Sequence, residues 1–200
     1  MKIRNYFKNR KKFLSKEYKK AFSFIKESKK YIWIMFFIFV FCFFIGFFVK
    51  LPLGIESKLL DYLKDLFLQA KGLGPIGMIW FLFSNNVVTN LFIFVLGIFF
   101  GIFPLLNVLV NGFILGFASK INVLQNGVFS LWKLFPHGIF EIPALMISLG
   151  IGLNLGICFF RIKDKEEFKK MLTNSFRVFI LIIVPLLIIA AIIEGLLISF

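Results

Sequence analysis

The sequence predicts an all-α integral membrane protein with about five transmembrane helices, in which the middle helical hairpin is either continuous or interrupted. Hydrophobic residues make up 60% of the 200-residue chain and the mean hydropathy is +0.91, whereas soluble domains are only about half apolar. Residues 31–49 carry no charge, which is just enough length to cross roughly 30 Å of hydrocarbon. The 48 residues between Lys71 and Lys120 are also uncharged. As one straight helix they would reach about 70 Å, so they must double back.

Residues 1–30 form a basic arm ahead of the first span. They contain 12 Lys or Arg and two Glu, with apolar residues at helical spacing. This pattern predicts a cytoplasmic amphipathic helix that binds anionic lipid headgroups, or else a solvated and partly disordered arm. The remaining residues, 31–200, are expected to form a single helical transmembrane domain.

The first span, residues 31–49, is followed by a connector of mixed charge. Apolar residues between Ile55 and Phe67 fall on one face of a helix that would begin near Ser57. Such a face is typical of an interfacial helix or of a surface that docks another protein.

The uncharged middle run is expected to turn at GIFP (101–104), because proline can begin a helix but disrupts one that continues through it. The first arm would then be 75–103, interrupted by the polar stretch 84–90. The second arm, 105–119, is short for a span. A spanning path and a re-entrant path for residues 75–90 both stay open.

Two further spans are expected at 136–160 and 178–199, with a turn at Asn126-Gly127 before the first and a charged loop between them. With five spans, one side of the membrane carries 18 Lys and Arg residues and the other side carries six. The positive-inside rule then predicts a multi-pass plasma-membrane protein with its N-terminus in the cytoplasm and its C-terminus outside.

Polar side chains inside the spans form the candidate site. His137 and Glu141 are four residues apart and share a helix face, and Pro143 removes the helical hydrogen bond that the carbonyl of Ile139 would accept. Asparagines recur at the same spacing in the middle hairpin. The candidate intramembrane polar residues are His137, Glu141, Glu194, Asn85, Asn86, Asn90 and Asn111.

Two interpretations of this cluster stay open. In the first it is a structural clamp, whose interhelical hydrogen bonds of roughly 0.6 kcal/mol each fix the register of the helices. In the second it is an outward-facing site, since ionisable groups inside a membrane are usually functional. Small and helix-breaking residues are expected to let helices approach one another, chiefly within one chain, and these are Gly97, Gly101, Gly112, Gly116, Gly138, Pro143, Gly152 and Gly156.

The sequence carries no catalytic or cofactor motif. Its single histidine excludes HExxH, no GxSxG or nucleotide-binding glycine motif occurs, and Cys42 and Cys158 both lie in apolar runs. We therefore expect no enzymatic activity, metal or cofactor. Nucleic acid is not an expected partner, because the basic residues lie beside membrane spans.

Three segments together resemble the stage II sporulation protein M family of bacterial and archaeal membrane proteins. They are SNN (84–86), GIFFGIFPLLNVLVNGFILG (97–116) and LFPHGIFEIPALMISLGIGLNLG (134–156), and the resemblance covers about residues 75–156. The positions that match the family's motif are Asn85, Asn86, Gly101, Asn111, Gly112, Gly116, Pro136, His137, Gly138, Glu141, Pro143 and Ala144.

The resemblance implies a membrane scaffold, which in spore formers belongs to a complex with peptidoglycan-degrading enzymes that drives engulfment. We expect a non-enzymatic scaffold or assembly subunit that contacts other membrane or envelope proteins and, in a homo-oligomer, a second copy of itself. Its partner surfaces would be residues 1–30, 55–70 and 161–175. The alternative is a transporter or channel-like protein that uses the intramembrane polar cluster to bind a cation or relay protons.

Overall fold

The computed structural model describes residues 2–70, 72–134, 137–162 and 164–199. In these ranges the protein is 92% helical and has no strand, and five helical segments are long and apolar enough to cross a membrane. The expected all-α class is therefore confirmed. The elements are α1 (Lys2–Phe48), α2 (Leu53–Ala70), α3 (Pro75–Leu96), α4 (Ile102–Asn126), α5 (Ile142–Arg161), α6 (Lys165–Val178) and α7 (Val184–Ser199), with a 3₁₀ helix at Val128–Leu134 and π-helical turns at His137–Glu141 and Phe179–Ile183.

Helix α1 joins the basic arm and the first span in one rod of 47 residues, about 70 Å long. From the sequence, residues 1–30 could form either a helix or a partly disordered arm. The described part, residues 2–30, is helical and continues without a break past residue 30. No proline occurs in α1 and its first glycine is Gly46, so nothing in the sequence interrupts the helix.

Helix α2 begins at Leu53, one turn earlier than Ser57, the start expected from the sequence. Pro52 explains this start, because its carbonyl accepts hydrogen bonds from the backbone N–H groups of Ile55 and Glu56 and its own missing N–H costs nothing there. The helix lies largely outside the bundle, with Leu59 touching an apolar cavity between α1 and α4.

The middle run doubles back as expected, but the corner lies earlier than GIFP. Helix α3 ends at Leu96, the turn comprises residues 97–101, and Phe100 and Gly101 adopt left-handed φ angles of 62° and 67°. Pro104 lies within the first turn of α4, where it breaks no hydrogen bond. The expected arms 75–103 and 105–119 are therefore wrong at their inner ends.

Both arms of this hairpin are continuous helices. The polar stretch 84–90 does not interrupt α3, and α4 extends past Lys120 to Asn126, where Gly127 ends it with a φ of 80°. At 25 residues α4 reaches about 37 Å, which is ample for a span. Its extension is supported by Lys120 Nζ, which donates a hydrogen bond to the carbonyl of Val49 at 3.1 Å.

The last two spans each contain a π-helical turn that ends two residues before a proline. The first π-turn (137–141) precedes Pro143, and the second π-turn (179–183) precedes Pro185. Because proline cannot donate the regular helical hydrogen bond, the wider turn accommodates its ring without ending the helix. The expected charged loop, residues 161–170, is helical from residue 165 onward, and this helix, α6, runs directly through the second π-turn into α7.

Helix α5 is the centre of the bundle. Every residue from Ser148 to Gly156 is buried. Two apolar clusters lie against it, one including Phe94, Ile151 and Leu187 and the other including Met35, Val108 and Leu149. The fold is therefore organised around the middle of α5, residues 148–156, which is covered on all sides.

Glycines bring the backbones of neighbouring helices into direct contact. A Cβ atom added to Gly97 would lie 2.6 Å from Gly152 Cα, and one added to Gly156 would collide with the backbones of Gly97 and Gly101. Such approach maximises dispersion contacts where lipid supplies no hydrophobic driving force. The contacts at these glycines join helices of one chain.

The same contact type joins α4 to α1. A Cβ atom on Gly112 would lie 2.7 Å from the carbonyl oxygen of Phe39, and one on Gly116 would collide with the carbonyl of Phe43. Gly138 differs, because no described atom lies within 4 Å of a Cβ placed there. Its place is in the first π-turn rather than at a helix contact.

The bundle has two chemically different ends. The basic end comprises residues 10–30 of α1, the turn 97–101 and α6, and polar contacts described below link α1 to α6. The opposite end comprises α2, the last turns of α4, the first π-turn and the last turns of α7. A contact of Gly195 on α7 with Ile79 near the start of α3 belongs to this opposite end.

Candidate functional site

The first π-turn and α7 bring part of the expected site together at the opposite end. His137 and Glu141 begin and end this turn, which packs against α7 and the start of α5. Glu194 lies half-buried on α7. The elements that carry Glu141 and Glu194 are thus neighbours, whereas Pro136 and the side chain of His137 lie outside the described residues.

The asparagines do not join that group through described hydrogen bonds. Asn85 is exposed on α3, and Asn90 Nδ2 donates to the backbone carbonyl of Asn86 at 2.8 Å. On α4, Asn111 Nδ2 donates to Asn107 Oδ1 at 2.8 Å. These amides bond within their own helices, since residues four apart share a face and lie one turn apart.

Asn90 Oδ1 and Ser148 Oγ are buried atoms without a hydrogen-bond partner among the described residues. Asn90 is 3% exposed and its Oδ1 is unpartnered, as is Ser148 Oγ on α5, which is fully buried. Leaving a buried polar group unsatisfied costs about 1–3 kcal/mol. Both atoms therefore reduce stability where they lie.

The basic end contains a polar chain that ties α1 to α5. Asn154 Nδ2 donates to Ser28 Oγ at 3.0 Å, and the Cys158 thiol donates to Asn154 Oδ1 at 3.3 Å. Ser28 and Asn154 are both buried. Asn154 uses its amide nitrogen and oxygen at once, so it fixes the register of α1 against α5.

A second network ties α1 to α6. The Glu17 carboxylate accepts a hydrogen bond from Lys20 Nζ at 2.9 Å and another from Arg177 Nε, and Arg177 Nη1 donates to Asn174 Oδ1. The hydrogen bonds from Lys20 and then from Arg177 lower the pKa of the Glu17 carboxyl. One carboxylate thus joins two cations across two helices.

Between these two networks lies a groove of about 490 Å³, formed by α1 and α6. We call it the α1–α6 groove. It continues into a cleft of about 270 Å³ that reaches Asn154 and Cys158. The residues that line the α1–α6 groove are Lys20, Ser23, Phe24, Glu27, Glu166, Lys169, Lys170, Thr173, Asn174 and Arg177.

Sequence patterns alone did not reveal this groove. The one sequence pattern that could have indicated it is the spacing of Asn154 and Cys158, which are four residues apart like His137 and Glu141 and so share a helix face. Ser28 and Arg177 gave none, because each meets its partner across more than 100 positions of chain.

The groove offers hydrogen-bond donors and acceptors but no metal centre. Among the residues that the structure describes, no three His, Cys, Asp or Glu side chains lie close enough to hold a metal ion. Its cations and hydroxyls instead suit recognition of a polar anionic group.

Comparisons with known proteins give a family match and a relative. A family model described as stage II sporulation protein M matches residues 32–197. An uncharacterised protein of Methanocaldococcus jannaschii is 35% identical over 113 residues, which cover 53% of this chain and 50% of that relative. The match thus spans half the length of the relative. No solved structure is significantly similar to the chain.

Proposed function

The chain belongs to the stage II sporulation protein M family, and from this premise we propose that it is a non-enzymatic scaffold or assembly subunit of a membrane complex. As a member of this family with five apolar helices, it is a multi-pass membrane protein. The scaffold role, the plasma membrane and the orientation of the termini are parts of the proposal.

The observation that carries the proposal is the closed centre of the bundle. Backbones of α3 and α5 touch at Gly97 and Gly152, and apolar clusters pack against α5 on either side. A solute path through this centre would require α3 and α5 to separate and to lose these contacts. The polar amides of Asn90 and Asn111 meanwhile bond within their own helices. This closed interior favours a scaffold, which binds partners on its outer surfaces, over a transporter.

Helix α2 is the surface most suited to a partner. Its apolar residues Leu53 and Tyr62 are 86% and 47% exposed, and Ile55 is exposed as well. The same helix carries charged residues, including the pair Asp61 and Lys64 at 3.5 Å. An amphipathic helix outside the bundle is the shape that partner proteins or a membrane interface bind.

The charge distribution supports a cytoplasmic basic end. Helical residues 2–30 and 165–178 hold most of the lysines and arginines, whereas α2 and the last turns of α4 hold few. By the positive-inside rule, this distribution supports an N-terminus in the cytoplasm and α2 on the outer side.

Site-specific photo-crosslinking tests the scaffold. A photoreactive phenylalanine analogue at Tyr62 should give a discrete protein adduct in intact membranes, and replacing Ile55, one heptad earlier on the same face, with aspartate should abolish it. The matched control is the same analogue at Phe41, which is 66% exposed on the apolar part of α1 and should give only lipid adducts. Identical adduct patterns at Tyr62 and Phe41 would refute α2 as the docking surface.

A further inference from the structure

The α1–α6 groove at the basic end is a site that neither the family nor the proposed scaffold role assigns. We propose that it binds a phosphate group with neighbouring hydroxyl groups, as in a glycerol-phosphate lipid headgroup or the free glycerol phosphate. The proposal does not depend on whether the chain is a scaffold.

Arg177 is the fixed cation of the groove. Its Nε and Nη1 atoms are bonded to Glu17 and Asn174, and its side chain is only 15% exposed. Its third nitrogen, Nη2, has no acceptor among the described residues. A guanidinium held by two partners keeps little rotamer freedom to lose, so its remaining donors are preorganised for an oxyanion.

Two lysines on α6 complete the positive side. Lys169 and Lys170 are exposed and line the groove, and neither forms an ion pair with a described residue. Lys20 lines it from α1, 45% exposed and paired with Glu17. Cations therefore approach the groove from both helices, which is the arrangement that encloses a phosphate rather than merely attracting it.

Acceptors line the same groove and point to hydroxyl groups on the ligand. Ser23 Oγ donates to Glu27 Oε1 at 3.2 Å, so the other carboxylate oxygen of Glu27 has no described donor. Glu166 lines the groove from α6. Carboxylates would repel a bare phosphate, but they accept hydrogen bonds from the hydroxyls of a glycerol group beside it.

The membrane-facing end of the groove, at Glu27, reaches the headgroup layer, and the rest of the groove extends beyond it. Phe24 and Glu27 precede Tyr31, where the charge-free part of α1 begins, by seven and four residues, or about 10 and 6 Å along the helix. The headgroup region adds roughly 5–8 Å to each side of the hydrocarbon core. With about 490 Å³, the groove also lies within the usual range for small-ligand pockets, about 300–1,000 Å³.

Calorimetric titration of the purified full-length protein in uncharged detergent provides the test. The probes are dioctanoyl phosphatidylglycerol, sn-glycerol 3-phosphate, dioctanoyl phosphatidylcholine and an acidic hexapeptide of glutamate. We expect phosphatidylglycerol to bind saturably with a stoichiometry of one and phosphatidylcholine to bind weakly. In the double variant K169A/K170A the Kd should rise about twenty-fivefold, because each basic residue near an anionic group contributes roughly fivefold.

The matched control is K29A/K30A, which removes two exposed lysines at the same end that do not line the groove. Its Kd should stay within about twofold of the wild type. Binding of glycerol 3-phosphate with the same dependence on Lys169 and Lys170, without lipid binding, would support the site and assign a soluble ligand.

Three results would overturn the site. One is no binding of phosphatidylglycerol or of glycerol 3-phosphate. Another is binding of the acidic peptide alone, and the third is equal loss of affinity in K169A/K170A and K29A/K30A. Photo-crosslinking at α2 would be unaffected by any of these, so failure of the groove and failure of the scaffold are distinguishable.

Discussion

Replacing Gly97 with alanine tests the central contact of the bundle. Gly97 ends α3 with a right-handed φ of −57°, so alanine brings no backbone strain there. The new Cβ would lie 2.6 Å from Gly152 Cα and from its carbonyl oxygen. These are backbone atoms of the buried helix α5, which cannot rotate aside as a side chain can.

The magnitude follows from the distance to be recovered. Ordinary contact begins at 3.4 Å, so α3 and α5 must separate by about 0.8 Å at this point. A gap of about 0.5–1 Å forfeits a quarter to a half of the dispersion energy across the affected surface. Overpacking of this type usually costs about 1–3 kcal/mol, and about 2 kcal/mol lowers Tm by roughly 4–8 °C in a protein of this size.

The assay is thermal unfolding in detergent, followed by loss of the monomer peak in size-exclusion chromatography. Gly54→Ala on α2 is the matched control, because nothing lies within 4 Å of a Cβ there and alanine favours helix over glycine. We expect Gly97→Ala to melt several degrees below both the wild type and this control. A Gly97→Ala protein that melts at or above the wild-type temperature would refute the close packing of α3 on α5.

Three further changes have defined outcomes. Hydrogen bonds lower the pKa of Glu17 from 4.5 in the folded protein, so its contribution to stability is present above pH 4.5 and is lost as the pH falls through the folded-state pKa. Glu17→Gln should therefore make Tm less dependent on pH in the acid range. An unchanged acid dependence of Tm would contradict the Glu17–Arg177 contact. Ser148→Ala removes a buried hydroxyl without a described partner and should raise Tm by roughly 2–12 °C, because about 1–3 kcal/mol is recovered and each kcal/mol moves Tm by about 2–4 °C in a protein of this size. An unchanged or lower Tm would indicate that the hydroxyl is bonded. Glu141→Gln separates clamp from transport: a lower Tm without any proton flux from wild-type liposomes supports a structural role, and a wild-type flux abolished with Tm unchanged would favour the transporter.

Hydropathy and turn motifs in the sequence correctly predicted the membrane spans and one of the turns, because these depend on nearby residues only. Long apolar runs with few or no charges predicted the five spans, because an ionisable side chain in hydrocarbon is costly whatever its neighbours are. The turn after Asn126 was predicted from Asn-Gly, and the structure ends α4 there with a left-handed glycine. The family was evident from motifs in residues 75–156 and is confirmed over residues 32–197.

The boundaries that the sequence misplaced are those set by neighbours. Pro104 was expected at the corner of the hairpin, but the chain turns at Gly97–Gly101, where Gly97 and Gly101 both lie against α5. The arm and first span were treated as separate, yet α1 continues without a break because no proline or glycine lies at their boundary, and its basic half also packs on α6 through Glu17. The position of the turn at residues 97–101, in contrast, depends on contacts with α5.

The composition of the sequence alone determined that this chain is a bundle of five membrane-crossing helices with one strongly basic end. Tertiary structure alone decided which polar groups meet. Helical spacing predicted that Asn90, Asn111 and Glu141 could form one site, but the asparagines bond within their helices, while Ser28 and Asn154 meet across 126 positions. The physical reason is that spacing along the sequence fixes only which residues share a helix face. The register between helices is set by contacts such as that of Gly97 with Gly152. Only that register brings α1 and α6 together around a groove.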